Sequence, residues 1–342
     1  MRKMLFVGEQ WFGSNSRSLS CAFRRCGYLV EEIDPSSFVP STMTLSGRLA
    51  NRALTSLYES SFNHSILEAA TATPVDIVFV YKGARVRAST LATLKDRGVS
   101  LALYYPDVSL YTHGANIPKC VAKYNVIFTA KSFGIADLKA LGANNAHLVL
   151  HGCDPEVHRE LPSDQLPKEY QCDASFIGTW SPKKQRILEE LVALLPDVRL
   201  KVWGAQWRRA SSGPLARYLM HHGVLGDFYA AAIQSSKINL AILSEARTGS
   251  SSGDLTTART FEIPGCSAFM LHERTDELLR CFKEDVEVAC FSTTTELAEK
   301  VQYYLNHDSE RAAISSAGYN RCMSEHSYAH RAGDIVDVLR RI

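Results

Sequence analysis

The chain has 342 residues, 46% of them apolar and 22% charged, with a formal net charge of +2. That length suits two domains, and the near-neutral charge gives no signature of nucleic-acid or acidic-membrane binding. No apolar run reaches the length of a membrane span. The segment Met1–Val7 leads straight into Gly8 and Glu9, too short for a signal peptide, so the expectation is a cytoplasmic protein with no transmembrane segment. Nine cysteines are scattered without a C-x-x-C pair; Cys26 and Cys290 fall at apolar positions, as reduced core cysteines do.

The first half opens with a short apolar strand, Met4–Val7, ending on Gly8. A loop containing Gly13 follows, and Ser16 is placed to cap the next helix, which carries Leu19, Phe23 and Cys26 on one face and stops at Gly27. Tyr28–Ile33 reads as the second strand. This order begins a doubly wound sheet, in which ligands bind at the carboxyl ends of strands. The dinucleotide fingerprint G-x-G-x-x-G is absent, and Gly13 reads equally as a ligand contact or a plain loop glycine. After a long helix from Leu45 to Leu67 the rhythm resumes. Strands are expected at Asp76–Tyr81, Ser100–Tyr104, Val126–Thr129 and His147–Leu150, with helices at Ala88–Arg97 and Ser132–Leu141. Apolar strands alternating with amphipathic helices argue for a parallel sheet covered on both faces. Lys82-Gly83 follows the third strand and Asp107 the fourth, with His113 nearby. Asp107 reads either as a carboxylate facing the ligand crevice or as a turn cap.

Residues 151–171 lose this periodicity and carry prolines, which marks a hinge between a domain at 1–150 and a second at 172–326; residues 327–342 form a closing helix. The second sheet starts at Cys172–Ile177 and again ends on a glycine, Gly178. Thr179-Trp180 leads to Ser181-Pro182, a cap followed by proline at the first helical position. Lys183, Lys184 and Arg186 crowd that first turn. Beside free backbone N–H groups they make an anion site of the kind that holds a pyrophosphate. Strand Leu200–Trp203 ends at Gly204; a helix opens near His222–Tyr229; strand Lys237–Leu243 and a Gly/Ser/Thr loop follow.

The segment Arg259–Leu279 organises this half. It reads as a short helix, a break at Pro264-Gly265, a buried strand around Ala268–Leu271 and a helix capped by Thr275. Arg259 and Glu262 lie three apart on the short helix, the spacing of a simple ion pair. Asp254 precedes Glu262 by eight positions. This spacing resembles the paired-glutamate signature of retaining glycosyltransferases with the GT-B fold. The run Arg-x-Phe-Glu-Ile-Pro, the Thr-Asp-Glu-Leu helix start and the closing segment from Glu325 to Arg331 more narrowly resemble the spore-protein CgeB-like glycosyltransferase family. The likeness is strong over 147–342; the first 140 residues fit only in rhythm.

What the resemblance implies is an α/β GT-B architecture, two Rossmann-like domains facing a cleft. It also implies transfer of a sugar from a nucleotide-diphosphate sugar to an unidentified acceptor, retaining and without a metal or other cofactor. Glu262 would accept hydrogen bonds from ribose hydroxyls. Gly13, Gly178, Thr179, Lys183, Arg186, Gly204, Val224 and Arg259 would complete the donor site, with Asp107, Asp254 and Arg259 as the catalytic candidates. Asp254 is one methylene shorter than the signature's first glutamate, which leaves its role and the retaining outcome open. Two alternatives stand beside this reading. One is a sugar-nucleotide-binding or assembly protein of the same fold without turnover; the other is a sugar-nucleotide epimerase.

Overall fold

A computed structural model describes residues 2–39 and 45–342 of the chain. The chain divides into two compact units, one of residues 1–150, 246–252 and 331–342, the other of 151–245 and 253–330.

The first unit holds β1 (Lys3–Val7), α1 (Asn15–Arg25), β2 (Leu29–Ile33), α2 (Leu45–Ala72), β3 (Ile77–Tyr81), α3 (Ala88–Asp96), β4 (Ser100–Tyr105), α4 (Asn116–Cys120), β5 (Val126–Thr129), α5 (Gly134–Ala140) and β6 (Ala146–Leu148). Its six strands are all parallel, in the order β2-β1-β3-β4-β5-β6. Central strands β1, β3, β4 and β5 are apolar and buried because helices cover both faces. Phe79 of β3 anchors one face, stacked on Phe6 at 5.5 Å and edge-on to Phe23 at 4.9 Å. The edge strand β2 instead carries Glu31 and Glu32, and an edge charge of this kind discourages pairing with another chain.

The second unit holds β7 (Cys172–Ile177), α6 (Pro182–Leu194), β8 (Leu200–Trp203), α7 (Asp227–Gln234), β9 (Ser236–Ala241), α8 (Arg259–Gly265), β10 (Met270–Glu273), α9 (Asp276–Cys281), β11 (Ala289–Phe291), α10 (Thr294–Leu305) and α11 (Asp308–Glu325). Its parallel sheet runs β11-β10-β9-β7-β8. Strand order therefore reverses direction between β7 and β9, and the crevice for a ligand lies at their carboxyl ends. A last helix, α12 (Tyr328–Leu339), carries the chain from the second unit into the first, where Arg2 donates to the carbonyl of Leu339 at 2.8 Å. At the root of α12, Cys153 pairs with the chain at Ser327: its N–H donates to His326 O at 2.9 Å, and its carbonyl accepts from Tyr328 N at 2.8 Å.

Several local expectations change. Ser14, not Ser16, caps α1, accepting from Arg17 N–H at 3.1 Å. The side chain two places further on lies inside the first turn. Pro264 does not break α8, which runs on to Gly265. The proline lacks an N–H and so withdraws one bond from the last turn of the helix. Cys26 is exposed at the end of α1, whereas Cys290 is buried. The 18-residue helix α11 carried no readable signal, because its buried stripe is only Ile314, Gly318 and Cys322. Gly318 packs so closely that a Cβ there would lie 2.5 Å from the carbonyl oxygen of Glu287. Seven of the nine cysteines are buried and none is in a disulfide. Among the described residues no helix is long and apolar enough to cross a membrane.

Candidate functional site

In the second unit the residues of interest gather where the strand order reverses. Helix α8 begins at Arg259, whose guanidinium reaches back over the sheet edge. One terminal nitrogen donates to Ile177 O, at the end of β7, at 3.0 Å; the other donates to Ile242 O, just past β9, at 2.9 Å. The guanidinium carbon lies 5.0 Å over the Phe176 ring, a favourable placement for a planar cation. A positive charge is thereby fixed across the β7/β9 crevice. Gly178 makes room for it, since a Cβ at that position would lie 2.5 Å from Arg259 Nη1. Gly204, with φ of 129°, in turn lets the β8 loop close on Gly178, whose carbonyl would be 2.2 Å from a Cβ there. Both glycines thus have packing roles at the site's floor.

One turn along α8, Glu262 is buried to 9% exposure and accepts from the Tyr229 hydroxyl at 2.7 Å through Oε2. Burial and the neighbouring carboxylate push the Tyr229 phenol well above its ordinary range, so it stays a donor. The ring of Tyr229 meets His158 edge-on at 5.9 Å; burial lowers the pKa of that imidazole against the opposing pull of Glu262 and Asp154. Behind α8, His272 is fully buried. Its Nδ1–H donates to Glu273 O at 2.6 Å and its Nε2 accepts from Thr260 at 2.8 Å, a tautomer set by those partners. Burial lowers its pKa to about 4, so it is neutral.

The basic turn of α6 sorts itself unequally. Lys184 is the inward residue, 3% exposed, donating to Ser244 Oγ at 2.9 Å and Thr179 O at 3.3 Å. Lys183 pairs with Glu273 at 2.6 Å, and Arg186 is exposed. Thr179 is exposed at the mouth of the same loop, and Val224 is buried ahead of α7. Lys184 was not singled out from Lys183 in the sequence. The signal was the helical angle itself, which turns position 184 toward Leu188 and Leu191 on the covered face.

Asp254 fixes the base of a loop. Its N–H donates to Ser244 O at 2.8 Å and its Oδ2 accepts from Ser244 N at 3.3 Å. Two further polar atoms near the start of α8, Arg259 Nε and Thr257 Oγ1, are buried without a hydrogen-bond partner among the described residues. Orphaned buried groups of this kind call for a ligand or solvent partner.

Gly13 and Asp107 lie in the first unit. Gly13 adopts a φ of 94° in the β1–α1 loop, next to the exposed rings of Trp11 and Phe12. Asp107, past the end of β4, accepts from His113 Nε2 at 2.7 Å and lies 3.3 Å from Lys82 Nζ. Burial pushes its pKa up, but the His113 hydrogen bond and the Lys82 charge outweigh it and hold the carboxylate at about 2. In the same unit residues 246–252 are held down. Ser109 donates to Thr248 O at 2.6 Å and Ser251 N–H to Asp137 at 3.1 Å. Two hydrogen bonds thus tie this part of the loop between β9 and α8 to the first unit. Among the described residues no group of three or more His, Cys, Asp or Glu is placed to hold a metal ion.

Residues 183–337 match a family model described as glycosyl transferase-like. No curated protein sequence matches the chain. Among solved structures, the sucrose-phosphate synthase of Thermosynechococcus elongatus is 12% identical with a TM-score of 0.69, over 100% of this chain and 99% of that one. HepE of Anabaena, solved in complex with UDP-glucose, is 13% identical with a TM-score of 0.67, over 100% of both chains. A Listeria monocytogenes protein provisionally assigned as a UDP-N-acetylglucosamine 2-epimerase is 11% identical with a TM-score of 0.55, over 98% of this chain and 94% of that one. The fold is GT-B, two Rossmann-like α/β domains.

Proposed function

We propose that this protein is a glycosyltransferase that takes a nucleotide-diphosphate sugar as donor and transfers the sugar to an acceptor without a metal ion. The observation that carries this reading is the single turn of α8. It sets the Arg259 cation across the carboxyl ends of β7 and β9 and, three residues on, presents the Glu262 carboxylate. A cation at the switch point suits a diphosphate; a buried carboxylate beside it suits the paired hydroxyls of a ribose. Lys184 adds a second cation, this one buried, at the same sheet edge. As the glycosidic bond breaks, charge grows on the departing diphosphate, and fixed cations stabilise it without a divalent ion. The glycosyl transferase-like match over 183–337 and the UDP-glucose bound by HepE support this donor class.

On this reading the sequence segment 1–150 forms the acceptor side, 151–171 the hinge and 172–326 the donor domain. Asp254, tied to Ser244 through its N–H and Oδ2, remains a catalytic candidate on this reading, with Asp107 and Arg259. A donor interconversion without acceptor is the competing reading, favoured by the epimerase-assigned neighbour. A thermal-shift screen against UDP-, GDP-, dTDP- and ADP-sugars tests donor binding; a ligand at about 100 times its Kd should add about 2.7 kcal/mol of stability. Product analysis with donor alone separates the two activities: a new sugar nucleotide would mark an epimerase. Stability unchanged by every donor would leave neither.

A further inference from the structure

Helix α6 begins at the carboxyl end of β7, and its amino terminus is filled. The Ser181 hydroxyl donates to Glu245 Oε2 at 2.7 Å, and Lys183 N–H reaches Glu245 Oε1 at 3.4 Å. Pro182 has no N–H to offer, and Lys184 N–H is directed at Ser181 Oγ at 3.4 Å. The chain's own carboxylate therefore takes the donors that a helix start presents to an anion. Glu245 is ionised there. Burial pushes its pKa up, but the Ser181 hydrogen bond, backbone N–H groups and the Lys184 charge outweigh that and hold it below the ordinary carboxylate value. The hydroxyl and N–H donors of the α6 turn are thus occupied from within the chain. Lys183 is turned away in the same manner, onto Glu273.

We infer that Glu245 is a resident anion seated where a phosphate oxygen of the donor would sit, and that donor binding displaces it. This rests on the nucleotide-diphosphate reading above. Two anions cannot share one helix terminus, so the carboxylate competes with the ligand and sets a lower affinity than the bare site would have. Glu245 follows β9 on a loop rather than within it, so its departure needs no strand to move. Once it leaves, Ser181 Oγ–H and Lys183 N–H face the incoming oxygens.

The test is calorimetric titration of the full chain with UDP, and with inorganic pyrophosphate as an anion lacking any base. Glu245→Gln and Glu245→Ala should each bind both probes about threefold to tenfold more tightly than wild type, the range an anion at a helix terminus spans. Uridine, which has no phosphate, should bind the variants and wild type alike. Unchanged or weaker binding of both probes by both variants overturns the inference while leaving the donor reading intact. A wild type that binds none of UDP, GDP, dTDP and ADP removes the donor reading, and this inference with it. Should neither variant fold, a structure of the wild type with a bound nucleotide diphosphate decides: the carboxylate should have left Ser181, and its persistence there would refute displacement.

Discussion

The Tyr229 hydroxyl donates to Glu262 Oε2 at 2.7 Å, joining the start of α7 to the turn of α8. This bond orients the carboxylate before any ligand arrives. Glu262→Gln should weaken nucleotide binding by about 1.5–3 kcal/mol, the worth of a hydrogen bond to a charged group. Tyr229→Phe should weaken it less, since the carboxylate remains but is no longer aimed. Calorimetry with the donor nucleotide measures both. Loss of thermal stability with unchanged affinity would make Glu262 a structural residue.

Arg259 and Lys184 should separate from Arg186. Replacing either of the first two by Ala should lower turnover more than donor affinity, because their charge meets a charge that grows in the transition state. Lys184→Ala should also cost stability of about 1–3 kcal/mol, as it removes a buried donor from Thr179 and Ser244. Arg186→Ala, at an exposed position, should stay within about 0.5 kcal/mol of wild-type stability. Steady-state kinetics with thermal melts distinguish the three.

Gly178→Ala should damage the site through Arg259. Its new Cβ would meet Nη1 at 2.5 Å and the Phe176 ring at 2.9 Å, so the guanidinium must leave the strand ends or the ring must shift. Overpacking of this kind costs about 1–3 kcal/mol. Turnover should fall as in Arg259→Ala, and combining the two changes should add little. Additive losses would show that the two residues act separately.

Metal-free transfer predicts that exhaustive treatment with EDTA leaves the rate unchanged. Loss of activity restored by a divalent ion would contradict it.

His272 sets a pH dependence of stability. Its folded pKa, about 4, lies below the ordinary 6.5 because burial disfavours the charged ring. Between those values the unfolded chain binds a proton that the folded chain does not, so stability falls as pH drops from about 6.5 toward 4. The full difference amounts to roughly 3 kcal/mol. Chemical denaturation across this window should show a shallower slope for His272→Gln than for wild type. Identical slopes would assign the effect to other groups.

What the sequence determined by itself was whatever neighbours in the chain decide. The strands Val126–Thr129, Cys172–Ile177 and Leu200–Trp203 stand where their apolar runs place them. The caps Ser181 and Thr275 accept from the N–H three residues on, as their local spacing dictates. The turn from Arg259 to Glu262 was legible for the same reason. Only the tertiary structure decided which partners these groups meet. Strand order β11-β10-β9-β7-β8 brought Arg259 onto carbonyls 82 and 17 residues away, and placed Tyr229, 33 residues distant, on Glu262. It also gave Lys184 to Ser244 and Lys183 to Glu273, and seated Glu245 on Ser181 across 64 residues. Helical and strand periods are written in residues a few places apart; a charge's partner is set by which strands lie side by side, and that is settled by the burial of whole faces at once.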